Sequence, residues 1–499
     1  MEERPSTFPT LTGITCDSRK ICPGYAFVAI SGFNKDGNKY INDAIKRGAS
    51  IVFTDQNIKT KKDIPIIKVK DARTFLGKLA AKFYNYPSNK LNLIGVTGTN
   101  GKTTTTHLLY HLLNYRLERD KKNSIYENQQ AGLIGTVKVD TGEKIIPGRL
   151  TTPDPENLQK HLSEMVKNKL KFTCMEVSSH GIKLKRIEGC IFAVKVGTNI
   201  STDHFDLHPD MSEYILTKKR FLQENEGSLV LINKDDPVLN SWGTIAKNQF
   251  NYGIRAPAEI EAKNIKHHNN KVCFTYFLGS PIYTNNGKKV LPCQFNVRMN
   301  LPGEHNIYNA LVAITIGLYY GLSPEIIKDF FLNFKGIWRR FELIYKGKYT
   351  IIDDCAHNPG SYEAVFKAIS RIEYKRLFIV NSLRGNRGNK INKKNAETIS
   401  SYLQYFNNYL LYTTNCSDVV KEIDLVKKEE EICFLKTLDK YQVKYTHLQE
   451  LRSALIKVTE QIDKGDLLLL LGPHAMDKAG KMILNMLNSK YHLHPLSSK

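Results

Sequence analysis

The sequence predicts an α/β protein of three domains, with a mostly parallel sheet in the central one. Its 499 residues are too many for one hydrophobic core and correspond to about three domains. Short apolar segments alternate with helical stretches along most of the chain, which is typical of parallel sheets covered by helices. Polar or glycine-rich loops follow several of these segments, and open parallel sheets bind their ligands at such strand ends.

The first domain is expected to span residues 1–88. Apolar segments at 27–30, 51–54 and 66–69 have the composition and length of strands, and helical stretches separate them. The region is therefore predicted to be a small α/β unit. A polar loop around Ser18 can hold a ligand, although taken alone it is equally an ordinary turn.

The central domain, expected at residues 89–337, opens with the most informative stretch of the chain. An apolar strand at 91–96 leads into a glycine-rich turn and a helix that begins near Lys102. Glycines let backbone N–H groups surround a phosphate, and the helix N-terminus adds the positive end of its dipole. Lys102 can reach the β/γ-phosphates and the Thr103 hydroxyl can bind Mg²⁺. Val96 replaces the first glycine of the strict GxxxxGK[ST] pattern, yet the stretch still predicts a nucleoside-triphosphate site.

Polar residues also follow the next two predicted strands. Glu176 ends the apolar strand at 172–176, where a carboxylate can bind Mg²⁺, although a solvated acid is the alternative. The strand at 192–199 leads into a segment with two His and two Asp, including His204. That composition suits a metal or phosphate site, whereas a single His in a loop is more often structural.

Two helical segments of the central domain carry further candidates. The helix at 212–222 places Tyr214 and Lys218 four residues apart, on one face. Thr151 and Thr152 precede a proline-rich turn and another helix. They either cap that helix or offer hydroxyls to a substrate phosphate or sugar.

The last domain, expected at residues 338–499, repeats the α/β alternation after an expected hinge at 336–342. Strands are predicted at 349–354, 377–380, 410–413 and 467–471. Arg384 and Arg387 lie in a basic, glycine-rich loop suited to a phosphate or carboxylate. The charge run at 427–431 is expected to be a solvated surface.

Composition limits the class of protein. Nine cysteines without a CxxC pair indicate reduced thiols, and hence a cytoplasmic location. The longest apolar run, 467–471, is too short to cross a bilayer, and the N-terminus lacks an export signal. A net charge of +23 suits nucleic acid or polyanionic small molecules. Because no nucleic-acid motif accompanies the charge, we do not expect a nucleic-acid partner. We also expect no membrane partner, and we expect the protein to be a monomer.

The order of these motifs resembles the ATP-dependent Mur ligases, and among them the MurE type, over nearly the whole chain. The resemblance implies a small substrate-nucleotide domain, a central ATPase domain and a Rossmann-like C-terminal domain that receives the amino acid. It implies ATP and Mg²⁺ as cofactors, with UDP-muramyl dipeptide and an amino acid as substrates. The implied ATP contacts are Gly98, Thr99, Asn100, Gly101, Lys102, Thr103, Thr104, Asn306, Asn309, Arg340 and Asp354.

The resemblance also implies roles for other positions. The implied Mg²⁺ contacts are Thr103, Glu176, His204 and Lys218, the last as a carbamylated lysine, and the implied catalytic residues are Lys102, Lys218 and His204. The implied contacts to the UDP-muramyl substrate are Ser18, Thr151, Thr152, Ser178 and Arg186. His357 follows Asp354 in a matching Asp-x-Ala-His pattern, with a structural and a catalytic role equally open.

The implied reaction is amide formation driven by cleavage of ATP to ADP and phosphate. A carboxylate of the UDP-muramyl peptide attacks the γ-phosphate, and the amine then displaces phosphate from the acyl phosphate. The first step joins two anions, so charge neutralisation by Lys102 and Mg²⁺ is expected to dominate.

The chain departs from the family pattern mainly on the acceptor side. Residues 413–418 replace the Asp-Asn-Pro-Arg motif, 472–477 replace Gly-Lys-Gly-His-Glu, and 385–388 replace Gly-Asp-Arg-Asp. Leu184 stands where a substrate-facing Gln is familiar, and it cannot make that hydrogen bond. Because the missing Arg suits the distal carboxylate of meso-diaminopimelate, a mono-carboxylate acceptor such as lysine or a smaller residue is predicted. Two alternatives remain: a related ligase making another amino-acid conjugate, and a P-loop ATPase that binds nucleic acid.

Overall fold

The computed structural model describes residues 10–32, 36–58, 64–115, 131–201, 207–223, 227–268, 271–284 and 287–491. These residues form three α/β parts that follow one another along the chain. The α/β class expected from the sequence is confirmed.

The N-terminal part is a small parallel sheet with helices. Its strands pair in the order β1-β2-β3-β4, and every pair is parallel. They are β1 (Gly13–Thr15), β2 (Tyr25–Ala29), β3 (Ala49–Thr54) and β4 (Ile66–Lys68). The helices are α1 (Ile41–Lys46) and α2 (Ala72–Phe83).

The central part is organised by a large mixed sheet. Its first strands are β5 (Asn92–Thr97), β6 (Ala131–Ile134), β7 (Lys138–Asp140), β8 (Ile145–Pro147), β9 (Phe172–Glu176) and β10 (Val194–Gly197). The later ones are β11 (Leu229–Asn233), β12 (Gln249–Gly253), β13 (Ile260–His268), β14 (Lys271–Leu278) and β17 (Cys293–Met299), and β15 (Ile282–Tyr283) pairs separately with β16 (Lys289–Val290). The strand order is β17-β14-β13-β12-β11-β10-β5-β9-β6-β7-β8, and all pairs between β6 and β13 are parallel.

Helices cover both faces of this sheet. They are α3 (Lys102–Leu113), α4 (Pro155–Lys167), α5 (Ser179–Lys183), α6 (Met211–Gln223), α7 (Pro237–Asn240), α8 (Glu304–Tyr319) and α9 (Pro324–Asn333). Buried side chains of α3 and α8 pack together on one face, while those of α4 and α6 form a second core on the other. Because β5 lies between β9 and β10, the polar residues at the ends of these three strands come together beside the N-terminus of α3.

The C-terminal part is a six-stranded sheet in the order β18-β19-β23-β20-β21-β22, antiparallel only at the β18 edge within the described chain. The strands are β18 (Glu342–Lys346), β19 (Thr350–Asp354), β20 (Leu377–Ser382), β21 (Tyr409–Thr414), β22 (Tyr445–Leu448) and β23 (Leu467–Leu471). The helices are α10 (Pro359–Ile369), α11 (Asn389–Leu403), α12 (Lys428–Lys440), α13 (Leu451–Gln461) and α14 (Ala479–Tyr491). The five leucines of β23 are fully buried because helices cover both faces, as expected for a Rossmann-like sheet.

The charge run at 427–431 is solvated, as predicted, only over 427–429, and the prediction is wrong for the last two residues. Glu430 and Glu431 are buried at the start of α12, and both carboxylates make hydrogen bonds inside the fold. All nine cysteines lie in described segments, and each is a free thiol. Over the described ranges, no helix combines the length and the apolar character that crossing a membrane would need.

Candidate active site

The glycine-rich turn after β5, called the phosphate loop below for its predicted role, is tight. Gly98 has a φ of +152°, and a Cβ built on it would lie 1.8 Å from the Thr198 hydroxyl, so only glycine fits. Gly101 has a φ of +86° and directly precedes α3, which begins at Lys102. The Lys102 ammonium donates to the carbonyls of Gly98 and Thr99, at 2.8 Å each. The side chain of Lys102 therefore folds back over the turn from the N-terminus of α3.

Oxygen ligands collect beside this loop at the end of β9. Glu176 is 1% exposed, and its Oε2 accepts from the Thr103 hydroxyl at 2.8 Å. Its Oε1 accepts from the backbone N–H of Thr136 at 2.8 Å. Mg²⁺ binds few protein oxygens and keeps waters or phosphate oxygens for the rest. The adjacent oxygens of Thr103 and Glu176 therefore fit a Mg²⁺ ion whose remaining ligands are phosphate oxygens and water.

Lys218 lies buried behind the phosphate loop. It projects from α6, is 1% exposed, and donates to the Gly98 carbonyl at 3.0 Å. Its ammonium also lies 4.7 Å from the centre of the Tyr214 ring, and the Tyr214 hydroxyl is 3.0 Å from that of Thr99. The predicted pair on one face of this helix thus contacts the loop. His204, predicted beside it, lies outside the described residues.

The remaining four residues that were predicted to contact ATP come from two different parts of the chain. Asn306 and Asn309 lie on α8, and the Asn309 amide oxygen accepts from the Thr105 hydroxyl of α3 at 3.0 Å. Arg340 reaches across from the expected hinge and donates to the Thr103 hydroxyl at 3.0 Å. Asp354 ends β19 on the same cavity wall.

Burial changes the ionisation of Asp354. It raises the pKa of this carboxyl to about 6, although the nearby Arg340 guanidinium and the backbone N–H of Phe341 oppose the shift. The acid is therefore charged at neutral pH and becomes neutral in mildly acidic solution.

The predicted contacts to a UDP-muramyl substrate are only partly brought together. Thr151, Ser178 and Arg186 line the same cavity as the phosphate loop. Thr152 is fully buried, and its hydroxyl donates to the Glu176 carbonyl at 2.9 Å, so it supports the end of β9. Ser18 lies in the N-terminal part and is not among the residues of this cavity wall.

The basic loop after β20 faces the cavity through side chains, while its backbone donors are used within the fold. Arg384 and Arg387 do line the cavity. The backbone N–H groups of 386–388, however, already have an acceptor within the fold. The buried Glu430 carboxylate accepts a hydrogen bond from each of the three. The Asp424 carboxylate lies 3.7 Å from the Arg387 guanidinium. The two arginine side chains are the positive charges that this loop places on the cavity wall, and Arg384 also donates to the His357 carbonyl at 3.4 Å.

These groups enclose one cavity of about 600 Å³ between the central and C-terminal parts. The two parts meet at the phosphate loop, where the side-chain amides of Asn100 and Asn358 exchange hydrogen bonds of 3.0 and 3.3 Å. Asn358 also caps α10. The phosphate loop, the oxygen ligands and the two arginines therefore face a common space.

Several residues of this site had not been singled out from the sequence. Thr136 and Glu430 lie far along the chain from the groups that they hold. No local pattern marks them. Asn358 could have been identified, because an Asn directly before a proline is a typical helix start.

The fold and cavity define a nucleotide-dependent enzyme with a central phosphate loop and a C-terminal part that lines the same cavity. Three family models match: the Mur ligase family catalytic domain at residues 10–84, the Mur ligase middle domain at 96–317 and the Mur ligase glutamate ligase domain at 339–474. The chain belongs to the Mur ligase family, and the expected ligase class is confirmed.

Relatives agree with this assignment. A UDP-N-acetylmuramoyl-L-alanyl-D-glutamate–2,6-diaminopimelate ligase of Caldanaerobacter subterraneus subsp. tengcongensis is 32% identical over 465 residues, covering 93% of this chain and 89% of the relative. The ligase of the same name from Oceanobacillus iheyensis is 34% identical over 404 residues, covering 79% and 77%.

Solved structures show the same fold at lower identity. One of a UDP-N-acetylmuramoyl-L-alanyl-D-glutamate–2,6-diaminopimelate ligase has a TM-score of 0.65 at 21% identity, covering 99% of this chain and 98% of that one. The structure of the MurF ligase of Thermotoga maritima in complex with ADP has a TM-score of 0.61 at 17% identity, covering 96% and 98%.

Proposed function

We propose that this protein is an ATP-dependent ligase that joins an amino acid to the D-glutamate of UDP-N-acetylmuramoyl-L-Ala-D-Glu, in cytoplasmic peptidoglycan precursor synthesis. One observation carries the proposal: the phosphate loop, the Glu176 oxygens and the arginines at 384 and 387 face one cavity. The relatives named above support the same substrates. The match along all three parts of the chain also favours this reaction over a nucleic-acid-binding ATPase.

In this proposal the phosphate side of the cavity prepares the carboxylate for reaction. The Lys102 ammonium and the N–H groups at the start of α3 neutralise the phosphates of ATP, which otherwise repel the incoming carboxylate. Arg340 adds a second positive charge from the C-terminal part. When bound, Mg²⁺ supplies further charge neutralisation, with Thr103 and Glu176 as its ligands.

Lys218 and His204 are proposed to hold a second Mg²⁺. Lys218 is a buried cation against the loop carbonyl of Gly98. An ammonium beside a divalent cation is electrostatically unfavourable. Carbamylation would turn it into a carboxylate-like ligand. The phosphate loop, Asn306, Asn309 and Asp354 are proposed to hold the nucleotide, with Asp354 as a charged acceptor.

The substrate and acceptor contacts follow from the remaining cavity wall. Thr151, Ser178 and Arg186 are proposed to bind the UDP-muramyl substrate, and the predicted roles of Ser18 and Thr152 remain part of this proposal. Arg384 and Arg387 are proposed to bind the carboxylate of the incoming amino acid. A guanidinium pairs with a carboxylate through two parallel hydrogen bonds.

The acceptor itself is the least constrained part of the proposal. The relatives' names favour diaminopimelate. This chain, in contrast, has no arginine between 413 and 424 to bind a distal carboxylate. Asp418, within that segment, accepts from the backbone N–H groups of Leu451 and Arg452 and thereby caps α13. A mono-carboxylate acceptor such as lysine therefore stays our prediction.

One assay tests the function and the acceptor together. Phosphate release is measured with ATP, Mg²⁺ and UDP-muramyl dipeptide against a panel of amino acids, with mass spectrometry of the product. We expect release that requires both the dipeptide and an amino acid, with lysine or a smaller residue giving the highest kcat/KM. No amide with any amino acid would refute the function, and a highest kcat/KM for meso-diaminopimelate would refute only the acceptor preference.

A further inference from the structure

The loop after β23 adds a histidine to the cavity wall. His474 starts a short 3-10 helix (His474–Met476), lines the cavity, and has a side chain that is about half exposed. Its Nδ1 lies 3.3 Å from the Oδ2 of Asp477. A carboxylate at Nδ1 favours the tautomer with the proton on that nitrogen, which leaves Nε2 as a proton acceptor.

Asp477 is itself held in place. Its Oδ1 accepts from the Arg339 guanidinium at 2.7 Å, while Oδ2 faces His474. Burial alone would raise the pKa of Asp477, but contacts with His474 and Arg339 outweigh it and hold this pKa below the ordinary value. The aspartate is therefore a fixed negative charge between the two.

Arg339 anchors the whole loop from behind. It is 1% exposed, and its Nε donates to Asp353 of β19 at 3.0 Å. The other guanidinium nitrogens donate to the carbonyls of Gly472 at 2.6 Å and Pro473 at 3.0 Å. The result is an ordered series, Arg339 to Asp477 to His474, that ends at the cavity. A base that is oriented by a third group is a common feature of enzymes that activate nucleophiles.

The ligase reaction needs a base when the amino acid attacks the acyl phosphate. An amino acid carries its amine as an ammonium near neutral pH, and an ammonium has no lone pair with which to attack. We propose that His474 is the general base of the amide-forming step, taking a proton from the acceptor ammonium at Nε2. The freed amine then forms the C–N bond at the acyl phosphate carbonyl, the C–O bond to phosphate breaks, and the nitrogen gives its second proton to the departing phosphate, which leaves as hydrogen phosphate. This inference rests on the proposed function.

The charged and titratable groups near the pair come from two further segments. Arg339 in the hinge and Asp353 of β19 lie behind Asp477. Cys355 follows β19, and burial raises the pKa of its thiol, so it stays uncharged near neutral pH. Arg339 pairs with both Asp353 and Asp477, and Asp477 is the partner that reaches His474 and orients it.

The test compares two nucleophiles with the holoenzyme. Hydroxylamine is largely unprotonated at neutral pH and traps an acyl phosphate as a hydroxamate without needing a base. For His474→Gln we expect kcat/KM for the amino acid to fall about 100-fold or more, since a general base typically contributes about 10²- to 10⁴-fold. Hydroxamate formation should stay within about threefold of the unmodified enzyme, again because that nucleophile needs no base. The defect should also shrink as the pH rises and deprotonates more of the amine.

Two variants control the test. Asp477→Asn keeps the histidine but removes the charge that orients it, so it should show a smaller loss with the same selectivity for the amino acid. His161→Gln is the matched control: His161 lies on α4, its Nδ1 is 3.5 Å from Glu164 three residues later, and it does not line the cavity. It should leave both nucleophiles unchanged. Circular dichroism confirms that each variant is folded.

Two results would overturn the assignment of His474. If the Gln variant turns over the amino acid within twofold of the unmodified enzyme, His474 is not the general base. If the variant loses activity equally with both nucleophiles, His474 acts in formation of the acyl phosphate or in folding. A different result identifies failure of the proposed function: the unmodified enzyme then forms neither amide nor hydroxamate.

Discussion

Glu430→Gln is expected to weaken binding of the amino acid while leaving ATP binding nearly unchanged. The Glu430 carboxylate is 2% exposed and accepts from the backbone N–H groups of Asn386, Arg387 and Gly388 at 2.9, 2.7 and 2.5 Å. These bonds fix the loop that carries the acceptor-binding arginines. The phosphate loop lies in another part of the chain and is not held by this carboxylate.

The size of the effect follows from the three bonds. A hydrogen bond to a charged group contributes about 1.5–3 kcal/mol, against about 1 kcal/mol for a neutral pair. A neutral amide also directs a donor at one of the three N–H groups, so the total loss is about 2–4 kcal/mol. If half of it reaches the bound amino acid, then at about 1.4 kcal/mol per tenfold the KM for that substrate rises roughly 5- to 30-fold.

The assay is steady-state phosphate release with the amino acid varied at saturating ATP and dipeptide, then with ATP varied. Glu429→Gln is the control, because it removes the same charge from an exposed neighbour on the same helix. Equal KM values for the amino acid in the two variants would refute the reasoning. An equal rise in the KM for ATP and for the amino acid would do so as well, since it would indicate general loosening.

Three further outcomes are expected from the phosphate side of the site. Lys218→Ala should lose nearly all turnover while staying folded, with partial rescue by short-chain carboxylates; near-normal turnover at low bicarbonate would exclude the carbamate. Glu176→Gln should raise the Mg²⁺ concentration needed for half-maximal rate, because a neutral amide binds the ion more weakly, and an unchanged titration would remove it from the metal site. The KM for ATP should rise as the pH falls through about 6, because the buried Asp354 then becomes neutral; Asp354→Asn should abolish that pH dependence, and a KM that is flat between pH 5 and 8 would contradict it.

The sequence by itself determined the α/β class, the glycine-rich turn after β5 and the ends of the strands beside it. These features are local: glycines at 98 and 101 permit the backbone of the turn, and the apolar strand before them is buried on both faces. Glu176 was found for the same reason, since the end of a parallel strand is recognisable from hydrophobicity alone. Tyr214 and Lys218 followed from helical spacing.

Only the tertiary structure decided which charges are solvated and which hold the site together. Five consecutive charges at 427–431 are locally indistinguishable from a surface run. Glu430 is buried because α12 packs against α11 and brings its carboxylate beneath the loop at 386–388, 42 to 44 residues away. Burial without partners would be costly, and the three backbone donors supply them.

The same reason explains the acceptor side of the cavity. Residues 472–477 differ from the family motif, but nothing in the sequence indicated what these residues do. The contacts from Arg339 to Asp477 and from Asp477 to His474 connect the segment at 336–342 to the loop after β23. Arg339 and Gly472, which also share a hydrogen bond, are 133 residues apart in the chain. Spacing along the chain carries no information about such contacts. They exist because the start of β18 pairs antiparallel with the end of β19, and β19 runs parallel beside β23. The segment before β18 and the loop after β23 therefore lie at one end of the sheet.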